Sequence, residues 1–457
     1  MFSFFNLLKM KKKNIYLLSI ILFCVAVTGI FLKYNYKKAA DEKKDYVLLE
    51  RKGVLANSME WKQAKHTSDS LLALIKDNPT DSKSQLRLAS LYIQEARVTG
   101  NYAYYDVAAM KYINDVLNLD SLDFNALVFK SLIYMSQHHF ADGLVIAHKA
   151  QQVNPYNGYV YGLLVDGNVE MGNYDSAVVY ADKMAAVRPD LTSYSRVSYV
   201  REILGDYSGA IKAMQMAVEA GGPGDEHTEW ARYQLANLYQ KIGDYKMADT
   251  LYQISLSMRP NYAYALAGLA QIAMANKDYK KAISLYIKAD SVVDDYSIKE
   301  ELVDAYQQSG QQQKADQLSK QVIDELNANS QAAVTNQNLG HYADRELAYA
   351  YLKIKDNDKA LDHALMEYNR RPNNIDVNET VAWVYYCKGD YAKAVPYINV
   401  ALRTHSKNPV LLSRAALIYY KSGNEQLAKT TIAETSLQNP YIEPELKMEA
   451  EKTVAKL

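Results

Sequence analysis

Cysteine, proline and glycine are scarce in this chain of 457 residues, at 2, 10 and 19 copies. Cys24 lies in an apolar run and Cys387 in a predicted helix, so there is no disulfide framework and no CxxC pair to mark a redox compartment. Few breakers mean few loops, which fits long helices joined by tight turns. Net charge is also absent, with 52 Lys+Arg against 52 Asp+Glu. The charge is unevenly placed: residues 1–52 are basic, and the rest carries 41 basic and 48 acidic residues, a net of −7. That balance argues against nucleic acid as the partner. Catalytic signatures are missing too: no Gly-rich phosphate loop, no HExxH, no G-x-S-x-G elbow. His138, His139 and His148 come nearest to a metal cluster. Helical spacing brings them together only loosely and no acidic partner stands beside them, so they read as exposed or turn histidines. No enzyme, cofactor or metal site is expected.

What the chain does contain is a period. Gly243-Asp244-Tyr245 opens a helical pattern carrying Ala248, Tyr252 and Ser255 and closing at Pro260. Thirty-four residues on, Lys277-Asp278-Tyr279 opens another, with Ala282, Tyr286 and Ala289 at the same offsets. Between them lies a helical stretch, 262–275, with Leu266, Leu269, Ala270 and Ala273 on one face. The alanine recurs as Ala177, Ala210, Ala248, Ala282, Ala315, Ala360, Ala394 and Ala428, and the closing proline as Pro155, Pro189, Pro260, Pro372 and Pro440. A small residue lets paired helices approach closely, the Gly takes the left-handed turn, and the following Asp or Asn caps the next helix. Such a unit cannot bury its apolar face alone; stacked copies can. The expected fold is an all-α solenoid of helix-turn-helix units.

This pattern resembles the tetratricopeptide repeat over most of the chain. The resemblance implies a right-handed superhelix whose first helices line a concave surface that binds protein or extended peptide. Carried over position by position, it places Tyr159, Asp166, Tyr199, Trp230, Tyr233, Asn237, Tyr264, Gln271, Asp304, Tyr342, Arg345, Tyr349, Trp383 and Tyr386 in that groove, with Arg345 as its cation. A groove rich in Tyr and Trp with acidic companions suits extended polypeptide, because rigid amphipathic rings bind at low entropic cost. The competing reading is a receptor whose rings stack on a glycan or other small ligand. The carboxylate clamp of the family is not supported, since Asn237 has no basic partner at the expected places.

The rest of the chain arranges around the repeats. A basic tail, 1–14, precedes an uncharged run, 15–32, of 18 residues, about 27 Å as a helix and close to a bilayer's hydrocarbon thickness. We read it as a transmembrane signal-anchor; the rival is a cleaved signal peptide, and Met10 is an alternative start. The repeats are then expected outside the cytoplasm, in the periplasm if the source is bacterial. A charged stalk, 33–58, leads to a helix with Trp61, Leu71, Leu74 and Ile75 buried. The solenoid is expected as two stacks, 59–329 and 341–457, split by a polar linker at 330–340. A terminal capping helix with Leu446, Ala450, Val454 and Leu457 on one face closes it.

Overall fold

The computed structural model describes residues 12–42, 45–335 and 341–456. Most of the basic tail, including Met10, the second half of the polar linker, and Leu457 lie outside the described residues. The chain divides into two compact units, 1–49 and 50–457.

In the first unit a single helix, α1, runs Lys12–Glu42. Its stretch Tyr16–Lys33 is long and apolar enough to cross a membrane. The first ten residues of the expected stalk, 33–42, continue that helix.

The second unit opens with a short 3-10 turn, Gly53–Asn57, and α2, Met59–Asp77. Trp61 and Leu71 are buried in it as expected, but Leu74 is exposed. Ten helix pairs follow. They are α3 Ser82–Thr99 with α4 Tyr102–Leu119, α5 Phe124–Ser136 with α6 Phe140–Val153, and α7 Gly158–Glu170 with α8 Tyr174–Val187. Next come α9 Leu191–Ile203 with α10 Tyr207–Glu219, α11 Glu226–Lys241 with α12 Tyr245–Met258, and α13 Ala263–Ala275 with α14 Tyr279–Asp290. The last four are α15 Tyr296–Gln308 with α16 Gln312–Thr335, α17 Asp344–Lys353 with α18 Asn357–Arg370, α19 Ile375–Cys387 with α20 Tyr391–Ala401, and α21 Pro409–Lys421 with α22 Glu425–Ala433. The closing helix α23 spans Pro444–Val454; it buries Leu446 and Ala450 and leaves Val454 exposed.

The repeated residues act as their chemistry requires. All eight recurring alanines are fully buried. The carboxylates of Asp206, Asp244, Asp278 and Asp356 accept from the backbone N–H three residues on, satisfying a donor that the start of a helix leaves open. Pro155, Pro189, Pro260 and Pro372 each stand two residues beyond a second helix, where the residue before proline leaves helical geometry.

Curvature follows from which helices touch. The first helices α3, α5, α7, α9, α11 and α13 form one continuous row and α17, α19 and α21 another; the second helices form no comparable row. The first helices therefore lie on the inside of the bend.

The winding is tight enough for the superhelix to meet itself. The side-chain amide of Asn374 donates to the main-chain oxygens of Glu170 and Val169, at 3.0 and 3.3 Å. The N–H of Tyr342 donates to the oxygen of Gln137, that of Asp294 to Thr99, and the amide of Asn439 to Lys241 at 2.7 Å. Partners in the side-chain bonds are 198 to 205 residues apart, so one superhelical turn holds about six repeats. Chemically the seam repeats one device: main-chain carbonyls at the ends of first helices accept from the segment that enters a helix one superhelical turn later. Residues 50–457 form one compact unit, within which α16 continues through 329 to Thr335.

Candidate functional site

The inner face of the row of first helices is polar and cross-linked. Asp166 on α7 takes a two-pronged ion pair from Arg196 on α9, at 2.8 and 2.6 Å. Glu202 on α9 pairs with Lys241 on α11. Gln271 on α13 donates to Glu301 on α15 at 2.7 Å, and Asp304 on α15 holds Lys353 of α17 at 2.7 and 2.8 Å. Glu379 on α19 accepts from Arg414 on α21 at 3.0 Å. Each link joins neighbouring first helices, and the four ion pairs among them neutralise charges that the enclosed face would otherwise leave unpaired. Arg345 is therefore not the lone cation of this face, as expected from sequence: Arg196, Lys241, Lys353 and Arg414 share it. The signal that was available is the spacing of opposite charges by about one repeat, as in Asp166 to Arg196.

Most of the expected groove residues are held by partners. Asn237 accepts from the Tyr252 hydroxyl at 2.6 Å, and Tyr264 donates to Asp295 at 3.0 Å. Trp230 and Tyr233 are half-buried against the α10–α13 core, with the Tyr233 ring 5.5 Å from Tyr264. Arg345 donates to Thr380 at 3.2 Å and lies over the Tyr349 ring; the Tyr349 hydroxyl accepts from Arg414 at 3.1 Å. Trp383 stacks parallel on the buried Tyr386, centroids 4.8 Å apart, and the Tyr386 hydroxyl donates to Glu449 of α23 at 2.5 Å. Tyr159 and Tyr199 are the open rings, at 47 and 39 % exposure, although Arg188 stacks on Tyr159 at 4.1 Å. Tyr342 stands apart. It belongs to the seam, its ring stacked on His139 at 4.2 Å with the Arg370 guanidinium 4.4 Å away.

Where α7, α9 and α15 meet α17 and α19 there is a polar cavity of about 210 Å³. Glu170, Tyr199, Tyr296, Arg345, Glu346, Arg371 and Asp376 line it, with His138 and Phe140 at the seam. Burial raises the Glu170 carboxyl to about 7 despite the nearby Arg371. On the same inner face burial also raises Glu300 and Glu301 to about 7. At the cavity edge the seam gathers residues that sequence reasoning kept apart. His138, in the α5–α6 turn, meets His341, ring centroids 3.9 Å apart, and both lie beside Glu346 in the first turn of α17. No local signal links position 138 to position 341; only the winding does. His139 packs against Tyr342 instead, and His148 lies on α6 beside Tyr180.

Residues 233–291 match the tetratricopeptide repeat family model. No curated protein sequence matches the chain. Among solved structures, a tetratricopeptide repeat protein from Parabacteroides merdae is 15 % identical, over 53 % of this chain and 92 % of its own, at a TM-score of 0.41. Cut9 with Hcn1, from an APC/C hetero-tetramer, is 16 % identical over 77 % and 66 %, also at 0.41. PilW, a type IV pilus biogenesis factor, is 15 % identical over 44 % and 91 %, at 0.37. These likenesses say nothing of a partner. Residues 233–291 are thus a tetratricopeptide repeat, and the turn and buried alanine of that segment recur along unit two.

Proposed function

We propose that this protein is a membrane-tethered, non-catalytic scaffold that holds an extended segment of another protein along its inner face. The fold is that of a protein-interaction scaffold. The observation carrying the finer reading is the pair of open rings, Tyr159 and Tyr199, on neighbouring first helices, with Tyr199 lining the charged cavity, while the other expected groove rings are more buried. An extended chain offers backbone donors and acceptors to a polar wall and side chains to the rings. In this reading 15–32 anchors the chain and the repeats work outside the cytoplasm.

A photo-crosslinking amino acid placed at 159 or 199, and at Val145 or Val179 on the exposed second helices, tests it in the source cells. Adducts with one polypeptide at the inner positions and not at the outer ones are expected. Adducts only at the outer positions would move the interface to the convex side, and binding of a glycan panel at 199 without a protein adduct would favour the small-ligand receptor.

A further inference from the structure

We propose that His138, His341 and Glu346 form a binding site for a divalent transition-metal ion, of the Zn²⁺ class, that clasps adjacent superhelical turns. One ligand atom from each side chain lies within 4.8 Å of the others. His341 has Nδ1 3.2 Å from the main-chain oxygen of Ser136, while its Nε2 is buried and has no hydrogen-bond partner among the described residues. His138 has Nδ1 3.1 Å from the main-chain oxygen of Tyr342. Each ring is thus fixed by a backbone carbonyl of the opposite turn, the arrangement that orients metal-binding imidazoles. Glu346 completes the set: Oε1 accepts from the Tyr296 hydroxyl at 3.2 Å, and Oε2 is buried and unpartnered.

Two buried polar atoms without a partner, His341 Nε2 and Glu346 Oε2, are costly unless something fills the gap, and His138 Nδ1 lies 3.9 Å from Glu346 Oε1. Two imidazoles and a carboxylate, without thiolate, are a donor set for Zn²⁺ and its neighbours rather than for Cu⁺ or Ca²⁺. Ligand atoms around a tetrahedral Zn²⁺ lie about 3.4 Å apart at bonds of roughly 2.0–2.1 Å. The ligand atoms, now within 4.8 Å of one another, would draw in to that spacing by side-chain rotation when the ion binds. His138 and Glu346 also line the polar cavity, where Glu170 and Asp376 stand against Arg345 and Arg371. His138 belongs to the first turn of the superhelix and His341 and Glu346 to the second, so the bound ion cross-links the seam.

The test uses the full chain purified in detergent and stripped with EDTA. Titration with ZnCl₂ against a chromophoric chelator should show one ion per chain, Co²⁺ should give visible d–d bands, and Zn²⁺ should raise the melting temperature. Glu346→Gln, which preserves shape, and His341→Asn should each weaken binding by roughly tenfold or more and abolish the thermal shift. His148→Asn should leave binding unchanged. If circular dichroism shows that His341→Asn does not fold, Glu346→Gln carries the test alone. Substoichiometric binding by the wild type, or unaltered affinity in Glu346→Gln, overturns the site.

Discussion

Asn374 and Glu170 stand 204 residues apart in sequence and share a hydrogen bond of 3.0 Å, from side-chain amide to main-chain oxygen. Arg371 reinforces it by pairing with the Glu170 carboxylate. At this junction Gly172 takes a positive φ of 77°, and a β-carbon there would overlap the carbonyl oxygen of Asn373. Gly389 has the same backbone, φ 81°, with open space around it. Gly389→Ala should therefore cost only the left-handed strain, about 1–2 kcal/mol. Gly172→Ala should cost about 1–3 kcal/mol more, the range of overpacking, as read by urea denaturation. Equal losses would mean that the turns do not touch in solution.

A second expectation concerns the buried pair at the start of the solenoid. Arg51 makes two bonds to Glu95, at 2.6 and 3.0 Å, with both side chains out of contact with water. Glu95→Ala leaves a guanidinium buried with half its partners and should cost about 3–5 kcal/mol. The double change Arg51→Met with Glu95→Leu should restore most of that loss, since it removes both charges.

Acidity offers a third. Burial raises Glu301 from 4.5 to about 7 in the folded chain. The folded state then binds a proton that the unfolded state has released, so its contribution is full below about 4.5 and lost as pH rises through about 7. Glu301→Gln removes this loss while keeping an acceptor for Gln271. Its melting temperature relative to wild type should climb between pH 4.5 and 8; a flat difference would show that the group titrates normally.

The rings on the inner face should separate by role. Tyr233 packs on Tyr252 and Tyr264, so Tyr233→Ala should cost about 2 kcal/mol of stability, less than full aromatic burial because the ring is half-exposed. Tyr199→Ala should change stability by no more than about 0.5 kcal/mol. If Tyr199 anchors the proposed partner, the same change should cost about 2 kcal/mol of affinity. Ala248→Leu, at a fully buried position, should cost about 1–3 kcal/mol.

Membrane attachment has its own check. If α1 is an uncleaved anchor, the protein should stay with membranes at full mass through high-salt washing. A soluble product beginning near Ile30 would identify a cleaved signal.

Sequence reading captured what one repeat decides by itself. Ala248 and its seven counterparts are buried because close helix pairing needs a small residue wherever it occurs, and Asp244 caps because the turn before it is local. It missed what depends on the winding. A period of 34 residues tells which side chains neighbour each other one repeat away, but not how many repeats complete a turn. Asn374 at Glu170, Tyr342 on His139, and His138 against His341 all follow from that second number. The groove residues fall between: Asp166 lies on a first helix as expected, and Arg196 meets it there.

The seam also alters how the protein bears load. An ordinary solenoid stretches like a coil spring, each repeat tilting slightly against the next while its bonds remain intact. Here Asn374, Asn439 and Asp294 fasten one coil to another, so extension first has to break those links. Under load the coil is therefore expected to hold its length until those links break, and to lengthen only then.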